Sequence, residues 1–433
     1  VFFIPQKFWD QKSETISLQG LKELQCRRLQ KLVKYVYTTN TFYQKKLLDA
    51  KVKPESIKTL KDIEKLPFLT KQDLRAYYPF GLVCTPLDDI IEVHASSGTT
   101  GKPVVGPYTK NDVELWAEMM ARSLFANGLR KNDILQNAYG YGFFTGAHGF
   151  EKGAQKIGAM VITIGSGNTE RQVDIMKDFG STTLACTPSY SLHIAEVAEE
   201  KGFNTSTDFK LRLGAFGAEA WSEEMRKNIE KRWGIIAHEH YGLTELIGPG
   251  IVSECEYNKL HINADHFYPE LIDPKTEEVL EFGDEGELVY TTLTKEAFPA
   301  IRFRTKDLAS ITEETCACGR TLPIQSRIKG RSDDMMKIKG VIVFPSQIEA
   351  ALMQVPGISD NYQIVKTKQG AIYSLSVEVE PSENRYKEGH LDDFEKKAEN
   401  EIYRILNLHI PVHSIPPKTI PRSTGKAKRV IER

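Results

Sequence analysis

The sequence predicts an α/β protein, with a large N-terminal domain built on parallel sheets plus an all-β subregion, followed by a small C-terminal α+β domain. Three observations lead there. At 433 residues the chain exceeds what one hydrophobic core usually supports, so a second domain is expected. Ala159-Met160-Val161-Ile162-Thr163-Ile164 is a short apolar run between Gly158 and Gly165, the pattern of a strand buried on both faces, and helical stretches on either side make it part of a βαβ unit. The C-terminal part instead mixes an alternating strand with amphipathic helix patterns.

Composition narrows the class. Apolar residues make up 40% and charged residues 27%, an ordinary globular profile. The net charge of −1 predicts neither a nucleic-acid groove nor a membrane-seeking surface. No window approaches the ~20 apolar residues of a membrane span. The opening Val1-Phe2-Phe3-Ile4-Pro5 is too short and uncharged for a secretion signal, and the missing initial Met reads as a trimmed start. Six cysteines do not form a disulfide framework, which points to a reducing compartment, the cytoplasm.

Taken in order, residues 20 to 50 read as helix, with Leu21, Leu24, Leu29, Leu32, Val33 and Val36 at three- and four-residue spacing. In Leu66–Leu74, Thr70 sits where an N-cap belongs, three residues before Asp73, and no chemistry is assigned to the run. A strand around Ile90, Ile91 and Val93 then runs into Ser96-Ser97-Gly98-Thr99-Thr100-Gly101-Lys102-Pro103. Glycines let backbone N–H groups turn inward, hydroxyls donate further bonds and lysine adds charge, so the loop suits polyphosphate. Its spacing is not that of a Walker A loop, and a polar surface turn is the bland alternative.

A helix from Asn111 to Asn127 leads to Tyr139-Gly140-Tyr141-Gly142-Phe143-Phe144-Thr145-Gly146, either a slot for an aromatic ring or an aromatic-plugged core turn. Asn168 opens a helix, Thr182–Cys186 reads as a strand, and Thr187-Pro188-Ser189-Tyr190 stands at its end, where α/β folds place ligands. Leu213–Gly217 is another strand, ending in Gly217-Ala218-Glu219 with its backbone groups open, or in a structural turn. His238 and His240 share a strand face without a defined third metal ligand. Cys255, His261, Cys316 and Cys318 compose a Cys₃His set that suits a zinc ion; the Cys-x-Cys spacing leaves a reduced pair in a surface turn as the alternative.

His261–Glu270 and Gly286–Thr292 read as strands of the β subregion, and Arg327–Asp334 as a charged linker. Ser346-Gln347-Ile348-Glu349 reads as a capping box opening a helix. Leu375, Val377 and Val379 alternate as in a half-exposed strand. Asp392–Leu408 reads as an amphipathic helix with Phe394, Ala398, Ile402 and Ile405 inward, and Pro421–Arg429 as a basic tail.

His94–Pro103 resembles the phosphate loop of the adenylate-forming superfamily in the form found in phenylacetate-CoA ligases. Leu66–Leu74, Tyr78-Pro79-Phe80-Gly81, Gly217-Ala218-Glu219, Tyr241-Gly242-Leu243-Thr244-Glu245, Phe303–Asp307 and the Gly425-Lys426 pair are similar to that branch too, so the resemblance covers essentially the whole chain. It implies an adenylate-forming domain over 1–329, a hinge at 330–335 and a mobile small domain over 336–433. It also implies an AMP-forming ligase that activates an aryl acid with ATP and Mg²⁺ and passes it to CoA.

By the same resemblance, Ser96–Lys102 hold phosphates, and Gly217, Ala218 and Glu219 line the adenine. Tyr241 packs its ring on the adenine, Gly242 beside it belongs to the nucleotide site, Thr244 meets the α-phosphate, Glu245 holds Mg²⁺, Asp307 takes the ribose hydroxyls, and Arg331 reaches phosphate or ribose. Tyr139, Phe144, Ala215, His240, Ile247 and Pro249 line the acyl pocket. Lys426 bridges carboxylate and α-phosphate, Asp333 is the hinge, and Gly340 belongs to the loop that faces the site during thioester formation. The branch carries an aliphatic residue where this chain has His240, which puts phenylacetate itself in question and hints at a polar ring substituent. A homodimer is the family expectation. Two rival functions stay open, an adenylating enzyme with an acceptor other than CoA and a nucleotide-binding regulator without turnover.

Overall fold

The computed structural model describes residues 6–96, 103–334, 336–338, 341–369, 372–389 and 391–433. Ser97–Lys102 of the polar loop and Gly340 therefore lie outside the described residues.

Leu18–Thr39 (α1) and Thr41–Asp49 (α2) replace the single helix expected over 20 to 50. Asn40 is extended, and its side-chain oxygen accepts from the N–H groups of Phe42 and Tyr43, ending one helix and capping the next. Lys71–Ala76 (α3) starts at the expected Thr70–Asp73 capping box. Ile90–Ala95 (β1) pairs antiparallel with Val105–Thr109 (β2), and Lys110–Ala126 (α4) is capped by Thr109. Ile134–Asn137 (β3), Thr145–Ile157 (α5) and Met160–Ile162 (β4) form the expected βαβ unit with parallel strands. β4 is not buried on both faces as expected: it is the edge strand of its sheet, and Met160 is 58% exposed.

Thr169–Phe179 (α6), Thr183–Cys186 (β5), Pro188–Glu200 (α7), Leu213–Gly217 (β6) and Glu223–Trp233 (α8) follow, with β5 and β6 parallel. The β subregion comprises Ile236–Leu243 (β7), Gly248–Glu254 (β8), Leu260–Ile262 (β9), Phe267–Ile272 (β10), Val279–Leu280 (β11), Glu285–Thr292 (β12), Phe303–Thr312 (β13) and Ile324–Gln325 (β14). These strands run antiparallel in the order β11-β10-β12-β13-β14-β9-β8-β7.

The C-terminal part holds Pro345–Leu352 (α9), Ile358–Gln369 (β15), Ile372–Pro381 (β16), Leu391–Leu406 (α10), Val412–Ser414 (β17) and Val430–Glu432 (β18). Its sheet has the order β17-β16-β15-β18. The core against it includes Ile348, Leu352, Val377, Val379, Phe394, Ala398 and Ile402.

Two expectations here are corrected. The Ser346–Glu349 capping box does not form: the N-cap is Phe344, two residues earlier, the helix begins at Pro345, a favoured first helical residue, and the Gln347 side chain accepts from the Phe344 N–H. Glu349 is buried instead and accepts from the Ser222 N–H and the Tyr362 hydroxyl. On α10 the inward stripe is Phe394, Ala398, Ile402 and Leu406, while Ile405 is 37% exposed. A strict i+4 ladder keeps one face, and position 405 falls off it.

The chain gathers into two compact units, Val1–Gly165 with His238–Arg327, and Ser166–Ala237 with Ile328–Arg433. The second unit joins α6, β5, α7, β6 and α8 to the C-terminal α+β part, a grouping that motif order alone does not convey.

Candidate active site

In the first unit the antiparallel β7–β8 pairing, with Tyr241 opposite Val252 and Gly242 opposite Pro249, sets the Tyr241–Glu245 segment. A Cβ on Gly242 would fall on the Gly248 carbonyl, so glycine is needed there for the two strands to approach. Tyr241 donates its hydroxyl to Asp307 Oδ2 at 2.7 Å, tying the segment to β13. Burial, then the charge of Asp307, keeps the Tyr241 phenol well above its ordinary pKa, so it stays a donor.

Thr145, at the start of α5, donates to the Thr244 hydroxyl at 3.0 Å. Glu245 is buried, with Lys71 Nζ 3.4 Å from its Oε1. Sequence reading does not single out Thr145 or Lys71, although Thr145 lies in the Tyr139–Gly146 run and Lys71 in Leu66–Leu74. Their roles depend on partners far along the chain. At the base of the polar loop Ser96 is described: its N–H donates to the Val104 carbonyl and its Oγ accepts from the Val104 N–H, both at 2.9 Å.

Among the acyl-pocket candidates of this unit, Tyr139 is buried and stacked on Phe150 at 4.9 Å, and Phe150 meets the His240 ring edge-on at 4.9 Å. Phe144 is 37% exposed, with its ring 6.4 Å from that of Tyr139. Ile247 is buried, and the Pro249 carbonyl accepts from the Trp116 indole N–H at 2.8 Å.

His240 Nε2 lies 2.6 Å from Asn127 Oδ1, and Asn127 commits its amide N–H to the Glu254 carbonyl at 2.7 Å. The imidazole proton therefore sits on Nε2. Nδ1 is left as a lone-pair acceptor with no hydrogen bond among the described residues. Burial, then neighbouring His238, pushes the ring's pKa down to about 3, so it is neutral at physiological pH. His238 and His240 belong to no group of three metal-binding side chains among the described residues.

Cys255, His261, Cys316 and Cys318 are brought together, their ligand atoms all within 4.8 Å of one another.

In the second unit Ala215 is buried in β6, and Ala218, just past the strand, adopts φ +69°. The Glu219 carboxylate does more than sequence reading assigned it. Oε1 accepts from the Ser189 N–H at 2.7 Å and Oε2 from the Ala427 N–H at 3.0 Å. On the other side of Lys426, the Gly425 carbonyl accepts from the Thr187 hydroxyl at 3.0 Å. Lys426 is thus held between two backbone anchors supplied by the ends of β5 and β6. It lines a cavity of about 360 Å³ together with Ser189, Arg422 and Arg429. Arg331 sets Nε and Nη2 against the Asp333 carboxylate at 2.9 and 3.0 Å.

Comparison with known proteins identifies the family. The family model described as AMP-binding enzyme matches residues 4–293, and that described as AMP-binding enzyme C-terminal domain matches 340–433. The chain is 42% identical to the phenylacetate-coenzyme A ligase of Thermus thermophilus over 97% of this chain and 98% of that protein. It is also 42% identical to the phenylacetate-coenzyme A ligase of Escherichia coli, over 97% of this chain and 96% of that one. A crystal structure of 2-hydroxyisobutyryl-CoA ligase in the postadenylation state superposes with a TM-score of 0.95 at 30% identity, covering 100% of this chain and 94% of that one. The full-length match means that this chain belongs to the AMP-binding enzymes, in their phenylacetate-CoA ligase family.

Proposed function

We propose that the chain activates an aryl acid, phenylacetate or a hydroxylated relative, as its acyl-AMP and transfers it to CoA. AMP-forming acid–CoA ligation is the activity of its family. The observation that carries the reading for this chain is the cluster in the first unit where Tyr241 is bonded to Asp307 and Thr244 to Thr145 beside the buried Glu245. A carboxylate is the natural partner of a vicinal diol, and two hydroxyls beside a carboxylate suit phosphate oxygens and a hard cation.

Glu245 fits a magnesium ion. It is a buried carboxylate whose charge partner among the described residues is Lys71, 44% exposed at the side chain, an arm able to give way. When bound, the ion would neutralise phosphate charge. Thr244 and the polar loop would orient the α-phosphate toward the substrate carboxylate, and Lys426 would bridge both as negative charge accumulates, so that attack at phosphorus expels pyrophosphate. In the second half-reaction the CoA thiol attacks the acyl carbon and AMP leaves. The domains proposed for the cycle are 1–329 and 336–433, with 330–335, around Asp333, as the hinge. Cytoplasmic location, where ATP and CoA are both at hand, and a homodimer belong to the same proposal; no helix among the described residues is long and apolar enough to cross a membrane.

The unpaired Nδ1 of His240 favours a ring that carries a hydroxyl. A neutral acceptor, buried and unsatisfied, gains from a donor on the ligand. The test is pyrophosphate release with ATP and Mg²⁺ over phenylacetate, the hydroxyphenylacetates, indoleacetate, benzoates and short fatty acids, with and without CoA. Release with an aryl acid, and AMP plus thioester on adding CoA, is the expected outcome. Pyrophosphate without any thioester would mean a different acceptor, and no acyl-AMP across the panel would leave a nucleotide-binding regulator. A hydroxyphenylacetate is expected to exceed phenylacetate in kcat/KM by about 10-fold, the worth of one hydrogen bond, and His240→Ile to erase that preference.

A further inference from the structure

The sequence brings Cys255, His261, Cys316 and Cys318 from three separate places. Cys255 follows β8, His261 lies in β9, and Cys316 and Cys318 stand in the loop after β13. Strand register does the gathering: Ser253 faces His261 across β8–β9, and His261 faces Ile324 across β9–β14. Cys255 and Cys318 are fully buried, and Cys316 is 9% exposed.

The distances are those of a coordination tetrahedron. With Zn–S of about 2.3 Å and Zn–N of about 2.0 Å, its edges are about 3.8 Å between sulfurs and about 3.5 Å between sulfur and nitrogen. Cys255 Sγ lies 3.7 Å from Cys316 Sγ, and Cys318 Sγ lies 3.3 Å from His261 Nε2. The sulfur pair is too far apart for a disulfide, whose bond is about 2.05 Å.

The surroundings are arranged for ligation. His261 Nδ1 is 3.2 Å from the Leu322 carbonyl, which places the ring proton there and turns the bare Nε2 toward the thiols. Two backbone N–H groups point at sulfur from two residues ahead, Tyr257 to Cys255 and Arg320 to Cys318, each at 3.4 Å. Gly319, at φ +83°, makes the tight turn after the Cys-x-Cys pair.

We propose that these four side chains bind one zinc ion as a closed, structural Cys₃His site. Four protein ligands leave no open position for substrate, so the ion's work is to fasten the loop after β13 onto the β8–β9 hairpin. The same loop then holds the N-terminal segment: Arg320 Nε donates to the buried Glu14 carboxylate at 2.7 Å, and the Thr321 N–H to the Glu14 carbonyl at 3.1 Å. β13, which carries Asp307, leads directly into this loop, so the staple also fixes one end of that strand.

The test is elemental analysis of the full chain purified without chelator. About one zinc per chain is expected, retained through dialysis and released when the thiols are blocked by an organomercurial. Cobalt loaded in its place is expected to give the intense visible bands and thiolate charge transfer of a tetrahedral site. Cys318→Ser should lose the metal and lower the thermal midpoint, whereas Cys26→Ser should keep the zinc unchanged. Should Cys318→Ser not fold, the metal content and cobalt spectrum of the unsubstituted protein decide alone. A chain that holds under about one tenth of an equivalent of zinc, with the thiols of Cys255, Cys316 and Cys318 titrating freely, or that holds iron instead, overturns the proposal. So does a Cys318→Ser protein that still carries one zinc.

Discussion

Glu219 holds two backbone N–H groups at once, those of Ser189 and Ala427, and so fixes the residue next to Lys426. In the scheme proposed above its carboxylate touches no reacting atom, and its role there would be to position Lys426. Charge-assisted bonds of this kind are worth about 1.5–3 kcal/mol each. Glu219→Ala is therefore expected to slow acyl-AMP formation by at least about 10-fold while leaving acyl transfer from added acyl-AMP to CoA within about 2-fold. Rapid-quench single turnovers of each half-reaction check this, and equal losses in both would sink the positioning role. Glu219→Gln keeps one acceptor and should recover part of the rate. Tyr241→Phe removes the hydroxyl and with it the 2.7 Å bond to Asp307, so KM for ATP should rise several-fold with kcat little changed, about 1 kcal/mol of uniform binding.

Among elements, α10 shows what periodicity conveys and where it slips. The helix, its extent and three of its four inward residues are legible, because Phe394, Ala398 and Ile402 already define the face. Whether Ile405 or Leu406 continues it depends on a phase that three points barely constrain, and packing against the sheet selects Leu406. Leu406→Ala should cost about 2–5 kcal/mol of stability and Ile405→Ala under about 1. A larger drop in thermal midpoint for Ile405→Ala would contradict the assignment. β4 makes the complementary point. A run of apolar residues between glycines identifies a strand, but edge or centre is decided by which neighbours exist, and Met160 is left exposed at the margin.

For the molecule as a whole, buried charges set the pH window of stability. Burial alone would raise the Asp265 carboxyl, but His266 and Arg122, the latter at 2.9 Å, outweigh it and hold it well below the usual range. Its contribution is present above the unfolded carboxylate pKa of about 3.9 and is lost as pH falls below that toward the folded value. Lys295 acts at the other end. Fully buried, with Nζ donating to the Leu246 carbonyl at 2.8 Å, it is pushed down to about 8 by desolvation, which the negative charge of Asp112 offsets only in part. The unfolded chain binds that proton more tightly, so stability from this group rises as pH goes from about 8 to about 10.5, by about 3 kcal/mol. Thermal midpoints of the unsubstituted chain and Lys295→Met should therefore converge or cross in favour of the former over that interval. A pH-independent difference would show that Lys295 keeps its ordinary pKa.

The family, the order of its motifs and most helices and strands are written in the sequence, because a cap, a heptad-like stripe or a glycine spacing is a matter of near neighbours. Thr70 with Asp73 capping α3, and Tyr241 to Glu245 as one segment, need nothing from the rest of the chain. Tertiary structure alone decided that Lys71 meets Glu245, that Thr145 bonds Thr244, that Glu219 anchors the Lys426 loop, and that His240 is held by Asn127 with Nδ1 unpaired among the described residues. Each of those pairs joins distant positions. Strand register and helix packing choose among many polar partners of equal local merit, and a linear pattern does not carry that choice. The Cys₃His set lies between the two cases: the residue types suit a metal ion or a reduced cysteine pair, and only the register of β8, β9 and β14 brings the four ligand atoms within 4.8 Å of one another.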